Sequence, residues 1–402
     1  MTESEILVNK LCEKVFLSLW TIASPIGKEA GKELCDALVV FDNKIIIISV
    51  KDIKYKETEK IEIGWERWNK NAIEKSIKQL KGTKRFLADS NMVKSQDGKV
   101  TIQLPEKNDR MYFFLTISLG SQREVPVVLP ENEVIHFLDE YNLDIMFSEL
   151  DTVSDFIEYL QKKEDFLKKS KKIIGSEEDI LAFYLHQNRS FPENGDLLIF
   201  GDDLWKEVSN KKEYKIKKEL DKISILWDSL IEEFINLRDP SIVKIPGYFD
   251  PTNENIEFGL RILAKENRFS RRVLSQAFFD FHDNSKIVSR IIESINGIIY
   301  VFLKVPISVE RRDRIAELSL RCYIAKSKML DKNIFIGIAT EDDISIGHSS
   351  DLVYLDLTKW TDDDSRKAEK MSRDLNFFSS PRISRFITDE YPITDNVYGK
   401  NK

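Results

Sequence analysis

Fifteen residues from Ala37 to Lys51, ALVVFDNKIIIISVK, constrain the fold of this chain more than any other stretch. Two runs of β-branched and aromatic residues flank Asp42-Asn43, residue types that accept the backbone angles of a tight turn, so the segment predicts a β-hairpin. Its second strand is apolar almost throughout and is expected to be buried on both faces. Upstream, apolar residues recur at helical spacing from Glu5 to about Ile22, and Ser24-Pro25-Ile26-Gly27 ends that run. Downstream, Trp65, Trp68, Ala72, Ser76, Leu80, Thr83 and Leu87 form one stripe at steps of three or four residues, which predicts a long amphipathic helix. MYFFLTISL, Met111 to Leu119, reads as a further buried strand, and weaker strands at Val100 to Leu104 and Val125 to Leu129 are expected to extend the sheet. Helix, hairpin, helix, strand is the order of an α/β fold with a mixed β-sheet flanked by helices.

Three regions follow along the chain: an α/β domain at 1–149, a heavily charged helical region at 150–238 and a second α/β part at 254–402. One boundary is expected near Lys169 to Gly175. Asp239 to Asn253, with Pro240, Pro246, Gly247 and Pro251, reads as the linker to the last part. In that part a helix at Phe269 to Phe279 precedes strands at Lys286 to Glu293 and Gly297 to Val305. A helix at Val309 to Leu330 then leads to strands at Asn333 to Thr340 and Leu352 to Leu357. INGIIYVFLK, Ile295 to Lys304, set beneath DNKIIIISVK, Asp42 to Lys51, agrees at four of ten positions. Lys304 then falls under Lys51, Ser289 under Asp36 and Lys286 under Glu33, as in a degenerate second copy of the first domain without its acids.

Composition narrows the functional classes. Cys12, Cys35 and Cys322 show no CxxC spacing, which argues against a disulfide framework or a zinc ribbon and suits a cytoplasmic protein. His136, His186, His282 and His348 lack metal-ligand spacing. No apolar run is long enough to cross a membrane, and the N-terminus has no export signal. A net charge of −7 means that contact with nucleic acid must come from a local basic patch. The long helix supplies one: between residues 66 and 85, seven basic side chains face two acidic ones. Arg67, Lys70, Lys78, Lys81, Lys84 and Arg85 are its candidate phosphate contacts, the alternative being an ordinary solvated helix face. Trp65 and Trp68 are read as anchors of that helix in the core.

Along the second strand of the hairpin Ser49 and Lys51 share one face, and Asp36, at the start of the first strand, reaches the same end. An acid beside a lysine at the edge of an apolar sheet suits metal-assisted phosphodiester hydrolysis, in which carboxylates hold Mg²⁺ and the ammonium orients or activates water. Cys35 is read as a core residue, since no histidine accompanies it.

Asp36 and Ser49-x-Lys51, within helix, strands, helix and strand over about residues 5 to 120, resemble the PD-(D/E)XK restriction-endonuclease-like nuclease superfamily. The resemblance implies that Asp36 is the first acid and a metal ligand, that Lys51 is the catalytic lysine, and that Mg²⁺ or Mn²⁺ is the cofactor. Ser49 stands where the family carries its second acid. Glu33 is the first replacement, as second metal ligand, with Glu13 on the opening helix in reserve. Gln79 resembles the helix glutamine of RecB-like nucleases, although the tyrosine four residues later is Thr83 here. The partner implied is nucleic acid, DNA before RNA, in the setting of a restriction or antiviral defence component, alone, as a homo-oligomer or with a partner protein. A catalytically inactive nuclease-like scaffold is the alternative that Ser49 favours, and an interaction protein built on the helical region is a third.

Overall fold

In the computed structural model the chain is described at residues 1–27, 32–130, 133–169, 171–236, 254–342, 349–378 and 389–392, with the backbone alone at 254–256. It divides into two compact units, Met1–Lys211 and Lys212–Lys402. Both are mixed α/β, as the sequence predicts. The linker expected at Asp239 to Asn253 lies outside the described residues.

In the first unit α1 (Glu3–Phe16) begins in a capping box, the Thr2 hydroxyl accepting from the Glu5 amide while the Glu5 carboxylate accepts from the Thr2 amide. The hairpin is present as β2 (Ala37–Phe41) and β3 (Lys44–Asp52), joined at Asp42-Asn43 with Asp42 at φ 51°. Crossover to the parallel strand β6 (Met111–Leu119) runs through α2 (Ile61–Asn69), a π-helical segment at Lys70–Glu74 and α3 (Lys75–Asp89). The stripe read from the sequence is buried from Trp68 onward, and the wide π turn places Ala72 and Ile73 together in the core. Leu80 and Leu87 of α3 pack on Leu38, Val40, Ile45, Ile47 and Phe114, one face of the sheet. α1 packs on β2 and β3 as well.

Sheet order is β1-β2-β3-β6-β7, and both edges differ from expectation. Helix α1 ends at Phe16, and Thr21–Ala23, expected as its last turn, is the edge strand β1, antiparallel to β2. The other edge is β7 (His136–Leu138), parallel to β6. Val125 to Leu129 forms no strand; Val125 packs instead on Trp68, Ala72 and Ile73. The strand expected near Val100 is β5 (Thr101–Gln103), paired apart from the main sheet with β4 (Met92–Lys94). The rest of the unit is mainly helical, with α4 (Leu143–Glu149), α5 (Val153–Leu167), α6 (Glu177–His186) and α7 (Leu204–Asn210). Where a boundary is expected, β8 (Lys172–Ile174) pairs in parallel with β9 (Leu197–Ile199).

The second unit opens with α8 (Lys212–Asp221), α9 (Ile225–Asn236), α10 (Glu254–Lys265) and α11 (Arg268–His282). Its sheet runs β10 (Ser289–Glu293), β11 (Ile299–Val305), β12 (Ile334–Glu341), β13 (Asp351–Asp356), with β11 and β12 parallel across α12 (Arg311–Lys326) and α13 (Asp362–Asp374) last. Antiparallel hairpin, crossover helix and parallel strand thus occur in both units. The lysine alignment does not survive, however. Ser49 and Lys51 face the crossover helix α3, whereas on β11 it is Ile299, Val301, Leu303 and Val305 that pack on α12. Lys304 points the other way, its ammonium donating to the carbonyls of Phe281, His282 and Asn284 at the end of α11, at 3.3, 2.8 and 2.8 Å.

Gly120 fixes how the chain leaves the C-terminal end of β6. At φ +90°, its amide region crosses the chain emerging from β3, and an added Cβ would lie 2.7 Å from the Ile53 carbonyl oxygen. Its carbonyl accepts from the Tyr55 amide at 2.7 Å. Gly120→Ala is expected to destabilise the first unit by about 1–3 kcal/mol, seen as a lower urea midpoint; wild-type stability would contradict this account.

Candidate active site

Where β2 begins, its pairing with β3 changes character. The Asp36 amide still donates to the Ile48 carbonyl at 3.1 Å, but the next β3 amide, Val50, donates to the Asp36 carboxylate at 2.7 Å instead of to a backbone carbonyl. The side chain therefore completes the ladder and is held rigid at 4% exposure. Lys51 reaches back to the same oxygen, Nζ lying 3.5 Å from Asp36 Oδ2, and donates to Gln79 Oε1 at 3.1 Å and to the Val50 carbonyl at 3.0 Å. Asp36, Lys51 and Gln79, chosen from the sequence as a catalytic group, are thus in mutual contact through the lysine.

Gln79 is placed from α3. Its neighbour one turn on, Thr83, donates to the Leu34 carbonyl at 2.5 Å and so ties the helix to the segment that carries Glu33 and Asp36 and leads into β2. Ser49 is fully buried, with its hydroxyl 2.8 Å from Gln79 Oε1 and 3.2 Å from the Ser76 hydroxyl. It positions the glutamine and offers nothing to a cation. Where the family resemblance implies a second acid, this chain has a helix-to-strand hydrogen bond.

Glu33 lies at the exposed end of the cluster, its backbone bridged to Ile26 and its carboxylate bonded by Ser24. Both carboxyls are raised from their ordinary values. For Asp36 burial is the largest cause; Lys51 and the Val50 amide oppose it, and Glu5 adds to it. For Glu33 burial again leads, the Ser24 bond opposes it, Asp36 and Glu5 raise it further, and Lys51 pulls it down. Glu5 is therefore a third acid within electrostatic reach, and sequence reasoning passed over it. The available signal was helical spacing: Asn9, one turn after Glu5, donates to the Asp36 carbonyl at 3.4 Å, which turns that side of α1 toward the site. Glu13, the reserve choice, is exposed and is not among the leading influences on either carboxyl. Burial and the two neighbouring acids push the Cys35 thiol well up, which fits a core residue.

Among the described residues no three acidic, histidine or cysteine side chains converge into a metal-holding group. Magnesium, however, is commonly held by one or two carboxylates with water and substrate phosphate completing six oxygens. The donor chemistry of Asp36 and Glu33, two carboxyls that repel each other beside a single lysine, fits that pattern.

The candidate phosphate contacts are exposed along the crossover. Arg67 is on α2 and Lys70 opens the π segment; Lys78, Lys81, Lys84 and Arg85 are on α3. Lys84 lies over the Tyr112 and Phe114 rings, 5.6 and 5.5 Å from their centres, toward the opposite end of β6 from Lys51. Trp68 is an anchor as expected, its indole donating to the Ile53 carbonyl at 2.7 Å.

An acid whose folded pKa is raised is easier to bury protonated. Stability from Asp36 is therefore full below about pH 4, its ordinary value, and falls as pH rises through the raised one. Asp36→Asn keeps an acceptor for Val50 and removes the charge. Its melting temperature relative to wild type should climb from pH 4 upward and level off near neutrality; a difference independent of pH would show that the carboxyl is not strained.

The chain matches no family model, and no curated protein and no solved structure matches it significantly.

Proposed function

We propose that the end of the hairpin is the active site of a metal-dependent nuclease that hydrolyses phosphodiester bonds, with DNA as substrate. One observation carries the reading: the Lys51 ammonium is held between the Asp36 carboxylate and Gln79 at the mouth of an apolar sheet, with Glu33 beside them. The likeness of this arrangement to the PD-(D/E)XK pattern supports the choice of DNA and of Mg²⁺ or Mn²⁺.

In the hydrolysis a water oxygen bonds to phosphorus, the bond to one ester oxygen breaks, and that oxygen leaves with a proton. A divalent cation on Asp36 and Glu33 would neutralise charge on the phosphoryl oxygens. Lys51 gives two of its three N–H groups to Gln79 and the Val50 carbonyl, and the third, which lies toward Asp36, would turn to a non-bridging oxygen or to the attacking water. Gln79 is itself fixed by Ser49, so the ammonium points in one direction before substrate arrives. The basic side chains of the crossover supply the salt-dependent, sequence-independent part of the affinity.

A second reading, a nuclease-like scaffold that binds nucleic acid or a partner protein without cutting, is favoured by Ser49, whose hydroxyl is engaged by Gln79 where a metal ligand would stand. Plasmid and single-stranded DNA incubated with protein and Mg²⁺ or Mn²⁺ separate the two. The nuclease reading expects cleavage that falls on the order of 100-fold or more in Asp36→Asn and in Lys51→Ala. Binding without cleavage under either ion establishes the scaffold instead.

A further inference from the structure

Beside α3 a groove of about 490 Å³ runs between the helix and residues 128–130. Its helix wall carries Lys78, Lys81 and Arg85 with Ile77 and one acid, Glu74; its other wall is Val128, Leu129 and Pro130. Among the described residues Lys78 and Arg85 have no carboxylate partner. Lys81 pairs with Glu133 at 2.9 Å, both side chains being more than a third exposed, a surface ion pair that a competing anion can replace. Three cations above an aliphatic wall suit a ligand that is anionic at one edge and flat and apolar at the other. Val128, 72% exposed, has its methyls turned to solvent beside those cations. The volume is that of a nucleotide-sized site.

Residues three and four apart are neighbours on a helix, so Gln79, Gly82, Lys78, Lys81 and Arg85 form a continuous path from the active site to the groove. Gly82 is its crossing point. Glycine weakens a helix interior relative to alanine, yet a Cβ added at Gly82 meets nothing within 4 Å, so no internal packing calls for it. What it leaves is bare helix surface between Gln79 and Lys78, over which a chain can pass. From Lys78 to Arg85 the helix rises about 10 Å, room for two successive phosphates.

We propose that this groove binds an unpaired stretch of the polynucleotide, which crosses α3 at Gly82 and places the next phosphate at Lys51. The inference rests on the nuclease reading for the identity of the polymer and adds that the strand is single. An aliphatic wall can touch the face of a base only when that base is unpaired, because in a duplex the faces are covered by stacking and only backbone is offered outward. The cations act on the phosphates and Val128 to Pro130 act on the bases.

Anisotropy of fluorescein-labelled oligothymidylate of about sixteen nucleotides, and of a duplex of like length, tests this in EDTA, where cleavage is excluded. Wild type should bind the single strand more tightly. Lys81→Glu with Arg85→Glu should weaken that binding about tenfold or more and flatten its log–log salt dependence by one to two units, and should weaken duplex binding by a smaller factor. Gly82→Leu, which raises helix propensity and so should melt no lower than wild type, should weaken single-strand binding about threefold or more by blocking the crossing. Equal or tighter duplex binding, or wild-type single-strand affinity in the paired charge reversal, overturns the groove. Because binding is read without metal, failure of the nuclease proposal would appear separately, as intact single-strand affinity in a protein that cuts nothing.

Discussion

The hydrogen bond from the Val50 amide to the Asp36 carboxylate joins the fold to the site. β3 is buried along nearly all its length, and a buried amide without an acceptor costs about 1–3 kcal/mol. Past Ala37 the neighbouring backbone no longer supplies that acceptor, and the Asp36 side chain does. The same carboxylate oxygen faces Lys51, so the group that finishes the sheet also fixes the lysine. Structure and chemistry are coupled through one atom, which makes the kind of substitution matter: alanine removes acceptor and charge together, whereas asparagine removes the charge alone.

Charge in this corner is unbalanced toward the acids. Burial and the Asp36, Glu33 and Glu5 carboxyls act in one direction, with Lys51 as the shared opposing cation. Folding tolerates that imbalance at the rim of an otherwise apolar sheet, and perturbed carboxyls gathered around one lysine make this corner a candidate for function. The imbalance has a direction: it disfavours the charged carboxyls of the protein alone and would be relieved by a bound cation. Ser49 and Gln79 bear on this only indirectly, by keeping the lysine where it is.

Legibility from sequence followed the strength of the local signal. The hairpin, β6, the long crossover and all four strands of the second sheet were readable, because each is a run of β-branched residues or a sustained helical stripe. The two edge strands β1 and β7 were not. Each is three residues long, and Thr21–Ala23 continues a helical pattern until the positive φ at Leu17 breaks it. Val125 to Leu129 has a strand's composition, yet its first residue packs on Trp68 and Ile73, so tertiary contact decided its conformation. Asp36, Lys51 and Gln79 were found because alternation on a strand and spacing on a helix dictate which way side chains point. Glu5 was missed because its approach to Asp36 depends on how α1 lies across the sheet, which periodicity does not encode.

The second unit shows how little of a site connectivity alone can specify. Its hairpin, crossover helix and parallel strand repeat the order of the first unit, and its sequence around Ile295 to Lys304 invites the same alignment. The turn there is longer, Ser294 to Ile298 in place of two residues, and the matched lysines end on opposite faces of their sheets. A slip of one residue exchanges every inward side chain for an outward one. Facing α12, where the first unit has Ser49 and Lys51, the second has Leu303 and Val305; the acids at that end, Glu341 of β12 and Asp351 at the start of β13, are held by Arg314 and Arg311 of α12. Lys304 serves another purpose, holding the carbonyls at the end of α11 where the helix dipole favours a cation. Whatever the descent of the two units, the strand position that holds the lysine in the first is hydrocarbon in the second, the acids at that end are paired with arginines of the crossover helix, and the lysine has become part of the frame.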